Sequence, residues 1–166
     1  MKKTTWAWLV LLLAAGVYFF GPWNDEERQL RRRLAEIEDL VVKEGPESDL
    51  DAANKARQLG HLFTRGFEIR LLPFDQVVTD RQRMMQVMLG YRRGSERIGV
   101  GFRDLEIELQ AGGSAQMSVV AVVSGWTEGQ VSREGYRFQL LWIREDSEWR
   151  IREAELVEVL DSGLLF

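Results

Sequence analysis

His61 is the only histidine in the chain, and there is no cysteine. Those two counts remove several chemistries together. Without cysteine there is no disulfide, no thiolate metal site, no lipid-modified cysteine and no cysteine nucleophile, and without a second histidine there is no histidine-based metal site. Neither a metal nor a cofactor is expected. His61 follows Gly60 at the end of a helical pattern, where a lone imidazole more often closes a helix than titrates in a site. Gly99-Val100-Gly101 has the glycines of a phosphate loop without its context, because it lies inside a strand pattern and precedes another strand rather than a helix. Met84, Met85 and Met88 could line an adaptable groove, but their helical spacing reads first as core packing.

The elements that must position these residues follow from periodicity. Leu30, Leu34, Ile37 and Val41 recur at helical spacing over residues 24–44, with Asn24 and Glu27 placed like a capping box and Gly45-Pro46 as the stop. Ser48 opens a second helix with Ala52, Ala56, Leu59 and Phe63 on one face. After Gly66 the period becomes two, with Phe67, Ile69 and Leu71 alternating against Glu68 and Arg70 until Pro73. Thr79 is expected to cap a third helix, with Met84, Met85, Met88 and Tyr91 inward and Arg92 and Arg93 complementing the negative end of its own dipole.

From Ile98 onward the pattern is strand-like, and twice it changes parity. Ile98, Val100 and Phe102 share one face, whereas Leu105, Ile107 and Leu109 take the other, which requires an extra residue near Arg103-Asp104. The same event falls between Ile151 and Ala154, so that Trp149 and Ile151 alternate out of step with Ala154 and Leu156. Between them lie the apolar Val119–Val123 stretch and the Tyr136, Phe138, Leu140, Trp142 alternation, with turns at 111–114 and 145–148. Four strands bent by bulges predict a curved antiparallel sheet, with three amphipathic helices filling its concave side.

Ahead of this domain, residues 1–23 begin with Lys2-Lys3 and continue into an uninterrupted apolar run from Trp6 to Phe20. Residues 4–23 amount to roughly 20 residues, or about 30 Å of helix, enough to cross a bilayer core. Trp6, Trp8, Tyr18 and Trp23 fall near its two interfaces. Val17, Tyr18, Phe19 and Phe20 stand where a cleavable signal needs small residues, so a retained anchor is expected. The Lys-Lys-apolar order places the amino terminus inside. The chain then divides into an anchor, 1–23, and an exported domain, 24–166, at a bacterial cytoplasmic membrane with the domain in the periplasm or outside. Residues 24–166 hold all 26 acidic residues and 20 of the 22 basic ones, a net charge of −6 that disfavours nucleic acid as a partner.

Helix, helix, short strand, helix and a four-stranded meander ending in LLWIREDSEWRIREAEL resemble the nuclear transport factor 2-like superfamily, also known as the SnoaL or ketosteroid-isomerase-like fold. The resemblance covers residues 24–160 and is carried best by Leu140-Leu141-Trp142, an acidic turn, and Trp149-Arg150-Ile151. It implies an α+β, cone-shaped domain with a pocket between sheet and helices, used for catalysis in some relatives and for binding or assembly in others. In that frame His61, Asp75, Asp104, Tyr91 and Trp142 are the candidate pocket residues. Asp75 and Asp104 are the counterparts of an isomerase acid, although local backbone bonding at a turn or bulge also accounts for both. No catalytic set is assigned. The leading expectation is a membrane-tethered, non-catalytic domain that binds a protein partner, another copy of itself or a small apolar ligand. The alternative is a pocket enzyme of the isomerase or dehydratase type.

Overall fold

The computed structural model describes residues 22–160, so the expected anchor lies outside them except for its last two residues. No helix among the described residues is long and apolar enough to cross a membrane. The elements are α1 (Pro22–Val41), α2 (Asp49–His61), β1 (Phe63–Leu71), a 3-10 turn (Leu72–Phe74), β2 (Gln76–Val78), α3 (Arg81–Gly94), β3 (Arg97–Gln110), β4 (Ser114–Thr127), β5 (Gln130–Glu145) and β6 (Glu148–Leu160).

Local chemistry explains most of the boundaries, including those that differ from expectation. α1 already includes Pro22, so Asn24 lies within the helix rather than capping it. It stops at Val41 because Lys43 turns outward and exchanges two backbone hydrogen bonds of 2.9 Å with Ile98. Ser48 does cap α2, its hydroxyl accepting from the Asp51 N–H at 3.1 Å. Phe63, expected on the second helix, instead starts β1, because Ile151 N–H donates to the Leu62 carbonyl at 2.8 Å and draws the chain into the sheet. Asp80, not Thr79, caps α3, accepting from Gln82 N–H at 3.2 Å and Arg83 N–H at 3.0 Å.

The sheet has six strands in the order β2-β1-β6-β5-β4-β3. It is mixed rather than antiparallel throughout, since β1 runs parallel to β6 and every other pair is antiparallel. Both expected bends are present. The β3–β4 register shifts between Arg103 and Glu106, with Asp104 at φ 52°, and the β5–β6 register shifts as Trp142 pairs with Ile151 but Leu141 with Glu153. A second shift in β6 places Leu156 opposite Phe138 and Val159 opposite Tyr136. Each shift returns apolar side chains to the concave face and curves the strand.

That face packs unevenly. Leu30 and Leu34 of α1 meet Met117, Val119, Leu140, Trp142, Trp149 and Ile151 in one buried cluster. α1 is also held across the β5–β6 hairpin, with Arg33 bridging to Glu148 at 3.3 Å and Arg144 to Glu26 at 3.7 Å. Its other end meets α3 reciprocally. The Arg92 guanidinium, fully buried, donates to the carbonyls of Leu40 (3.2 Å), Val41 (2.6 Å) and Val42 (3.3 Å) and makes a two-point contact with the Glu47 carboxylate at 2.7 and 2.6 Å. Lys43 in turn donates to the carbonyls of Arg92 at 2.8 Å and Ser95 at 2.6 Å. Arg92 therefore complements the negative end of α1 rather than of its own helix, and Lys43 takes the place expected for it at the end of α3.

Candidate functional site

Alternate residues of β5 map the inner face from one end of the cone to the other. Trp142 and Leu140 are buried, Phe138 and Tyr136 are half-buried, and Glu134 and Ser132 are exposed. Opposite them on β4 stand Ala115, Met117, Val119, Ala121, Val123 and Gly125. The cone is thus filled at the Trp142 end and open at the Glu134 end.

At the open end the carboxyl-terminal half of α3 faces the sheet. Glu96 N–H donates to the Trp126 carbonyl at 2.7 Å and the Thr127 hydroxyl to the Gly94 carbonyl at 3.3 Å, which fixes the end of α3 over β4. Tyr91, one turn back, then reaches Gly125. A Cβ built on that glycine would lie 3.1 Å from the Tyr91 hydroxyl and 3.2 Å from Ser132 Oγ, so the absent side chain makes the slot that the phenol occupies. Glu134 stands two residues beyond Ser132 on the same face, and Tyr136 two beyond that, its hydroxyl donating to the Glu134 carboxylate.

A carboxylate thus lies between two phenols on the inner face. Burial, followed by the bond to Glu134, that carboxylate's charge and the proximity of Tyr91, pushes the Tyr136 phenol well above its usual value. Burial and then the Glu134 charge raise Tyr91. Both phenols are therefore protonated throughout the physiological range, as an unperturbed phenol already is. Around the row, Val87 and Tyr91 on α3 and Val159 on β6 are among the large apolar side chains left exposed, and Met84 and Met88 are half-buried. The 3-10 turn packs against β6 and carries exposed Leu72 and Phe74 on the adjoining rim.

Of the five residues singled out in the sequence, only Tyr91 belongs to this row. Trp142 is fully buried at the opposite end, within the cluster under α1. His61 ends α2 with its side chain exposed. Asp75 is exposed after the 3-10 turn at φ 50°, its N–H donating to the Leu72 carbonyl at 3.3 Å. Asp104 is exposed at the β3 bulge. The structure does not gather these residues into one pocket. Surface grooves lie elsewhere. One of about 280 Å³ runs between α1 and the β5–β6 turn beside Arg32, Glu36 and Trp149, and one of about 300 Å³ lies between Gln116, Gln139 and Glu155 on the sheet. Among the described residues no group of three or more His, Asp or Glu is placed to hold a metal ion.

Neither Glu134 nor Tyr136 is among the candidate residues of the sequence, where the alternation is taken from Tyr136 to Trp142 and Glu134 falls just outside it. The signal was nevertheless present: Glu134 has the same parity as Tyr136, Phe138, Leu140 and Trp142, which puts an acid on the buried side of a strand.

No protein-family model matches the chain, and no curated protein matches it in sequence. Solved structures do match. A putative scytalone dehydratase from Novosphingobium aromaticivorans superposes with TM-score 0.63 at 14% identity, over 82% of this chain and 87% of that one. An NTF2-like protein with a cystatin-like fold, also from Novosphingobium aromaticivorans, gives TM-score 0.64 at 14% identity over 91% of each chain. ActVI-ORFA from Streptomyces coelicolor gives 0.63 at 11% identity over 84% of this chain and 98% of that one. At such identities the likeness is one of fold, and the fold is nuclear transport factor 2-like.

Proposed function

We propose that the chain is a non-catalytic binding domain held at a bacterial cytoplasmic membrane by residues 4–23, with the domain on the extracytoplasmic side. Its open end seats a small apolar ligand, or an apolar side chain of a protein partner or second copy. The observation that carries this reading is the gradient along β5, from buried Trp142 to exposed Glu134, with Val87, Tyr91 and Val159 exposed around the open part. A partly apolar surface with a few placed polar groups on the inner face of a curved sheet supports that reading. Tethering rests on the apolar run from Trp6 to Phe20. The enzyme reading has one observation in its favour, the Tyr136–Glu134 hydrogen bond on the inner face. Against it, His61, Asp75 and Asp104 stand apart at the surface, away from any shared cavity.

The chain has three tyrosines, Tyr18, Tyr91 and Tyr136. Fluorine NMR of the full chain carrying 3-fluorotyrosine therefore tests the site directly. Titration with n-butanol is expected to move the Tyr91 and Tyr136 resonances saturably while Tyr18 stays in place. Movement of Tyr18 alone, or of none, would refute the open end as a binding site. Alkaline phosphatase fused after Phe166 tests the tether separately: activity in the membrane fraction is expected, and activity only in the soluble periplasm, or none, would overturn it.

A further inference from the structure

Resting on the reading of the open end as a ligand site, we propose that it selects an organic cation, an alkylammonium whose N–H groups bond to Glu134 and Tyr136 while its carbon chain lies against Val123. Register supplies the geometry. Glu134 pairs with Val123, Tyr136 pairs with Ala121 on one side and Val159 on the other, and Ser132 pairs with Gly125 beneath the Tyr91 hydroxyl. Alternate residues of a strand stand about 6.6 Å apart, so the carboxylate is flanked by a phenol on each side.

Hydrogen-bond direction then decides the ligand's polarity. The Tyr136 proton is donated to Glu134, which leaves carboxylate oxygens and phenol lone pairs facing the opening. The Tyr136–Glu134 pair therefore accepts and does not donate, so an anion or a carbonyl finds no partner in it. An ammonium group supplies the donors, and its charge makes each bond roughly twice as strong as a neutral one. Two neighbouring aromatic rings add attraction for a cation. The arginines nearest in sequence, Arg133 and Arg137, alternate onto the outer face, where Arg137 pairs with Glu158 at 3.1 Å. The net charge of −6 over residues 24–166 also favours approach of a cation.

The test compares n-butylammonium chloride with n-butanol, similar in shape and differing in charge, on the full chain carrying 3-fluorotyrosine at constant ionic strength. Tyr136→Phe assigns the resonances. Butylammonium is expected to bind at least about tenfold more tightly than butanol, the scale of a charge-assisted bond at a partly exposed site. Glu134→Gln, shown to be folded by an unchanged melting transition, is expected to abolish the difference. Equal affinities in the unmodified chain would overturn the cation inference and leave an apolar site standing. A preference that survives in Glu134→Gln would overturn the role of the carboxylate. Failure of both compounds to move Tyr91 and Tyr136 would overturn this inference and the binding reading together.

Discussion

The two ends of the cone are built from the same strands and put them to opposite uses. At one end β4 and β5 present Ala115, Met117, Leu140 and Trp142 to α1, and all are buried. At the other, the same strands present Val123, Gly125, Ser132 and Glu134, of which only the glycine is buried. The difference comes from the course of the helices. α1 crosses from the β5–β6 hairpin, where Arg33 reaches Glu148, to the start of β3, where Lys43 bonds Ile98, and the Arg92–Glu47 lock fixes that end. The concave face beside Tyr136 and Val159 lies beyond this crossing and is approached by α3 through Tyr91. A single curved sheet can in this way hold both a core and a site, provided that the helix supplying the core crosses the face obliquely and leaves one corner of it uncovered.

If this division is correct, substitutions at the filled end lower stability and those at the open end do not. The largest effect is expected from Trp142→Ala or Trp149→Ala, each costing about 3–5 kcal/mol in denaturant unfolding, the usual loss for a buried indole. Arg92→Met removes the donor that serves the Leu40, Val41 and Val42 carbonyls and the Glu47 carboxylate, and a loss of about 2–4 kcal/mol is expected in the same measurement.

Glu47 provides a finer test. Its hydrogen bonds to Arg92 hold its carboxyl below the ordinary value of 4.5, despite partial burial acting in the other direction. A depressed carboxylate contributes stability that is present above the unfolded-state value and is lost as pH falls through the folded one. Glu47→Gln should therefore flatten the acid limb of stability against pH below 4.5, and an unchanged limb would mean that the pair does not couple to folding.

Gly125→Ala moves the comparison to the open end. The new Cβ is expected to displace the Tyr91 ring and shift its fluorine resonance while costing less than about 1 kcal/mol, since the displaced side chain is half-exposed. Smallest of all, Glu134→Gln should change stability by no more than about 0.5 kcal/mol, as for an exposed residue outside the core.

The parts of this architecture that were legible in the sequence are those in which one strand or helix carries its own signal. The parity changes at Arg103-Asp104 and between Ile151 and Ala154 identified both bends, because a bulge moves apolar side chains by one position within a single strand. Ser48 is legible as a cap because it stands just ahead of the helical rhythm of Ala52, Ala56 and Leu59. What escaped depends on partners distant in the chain. The parallel β1–β6 pairing joins residues 63–71 to 151–156, and neither segment alone specifies direction. Phe63 fits the helical rhythm of α2 and was lost to the sheet through a single bond from Ile151. Arg92 reads as a charge complementing the end of its own helix, and only the approach of α1 and Glu47 makes its burial tolerable. The Tyr91–Glu134–Tyr136 row likewise unites α3 with β5, and the small residues that permit it, Gly125 and Ser132, carry no chemistry of their own.

Native-state hydrogen exchange on the full chain tests the division of the cone most directly, because it reads local opening along β4 and β5 without a ligand or a substitution. The account predicts slow exchange, approaching global unfolding, for amides at 115–120 and 138–142, and measurably faster exchange at 123–127 and 131–136. Uniform protection along the full length of both strands would contradict it, since the open end would then be as firmly packed as the end beneath α1.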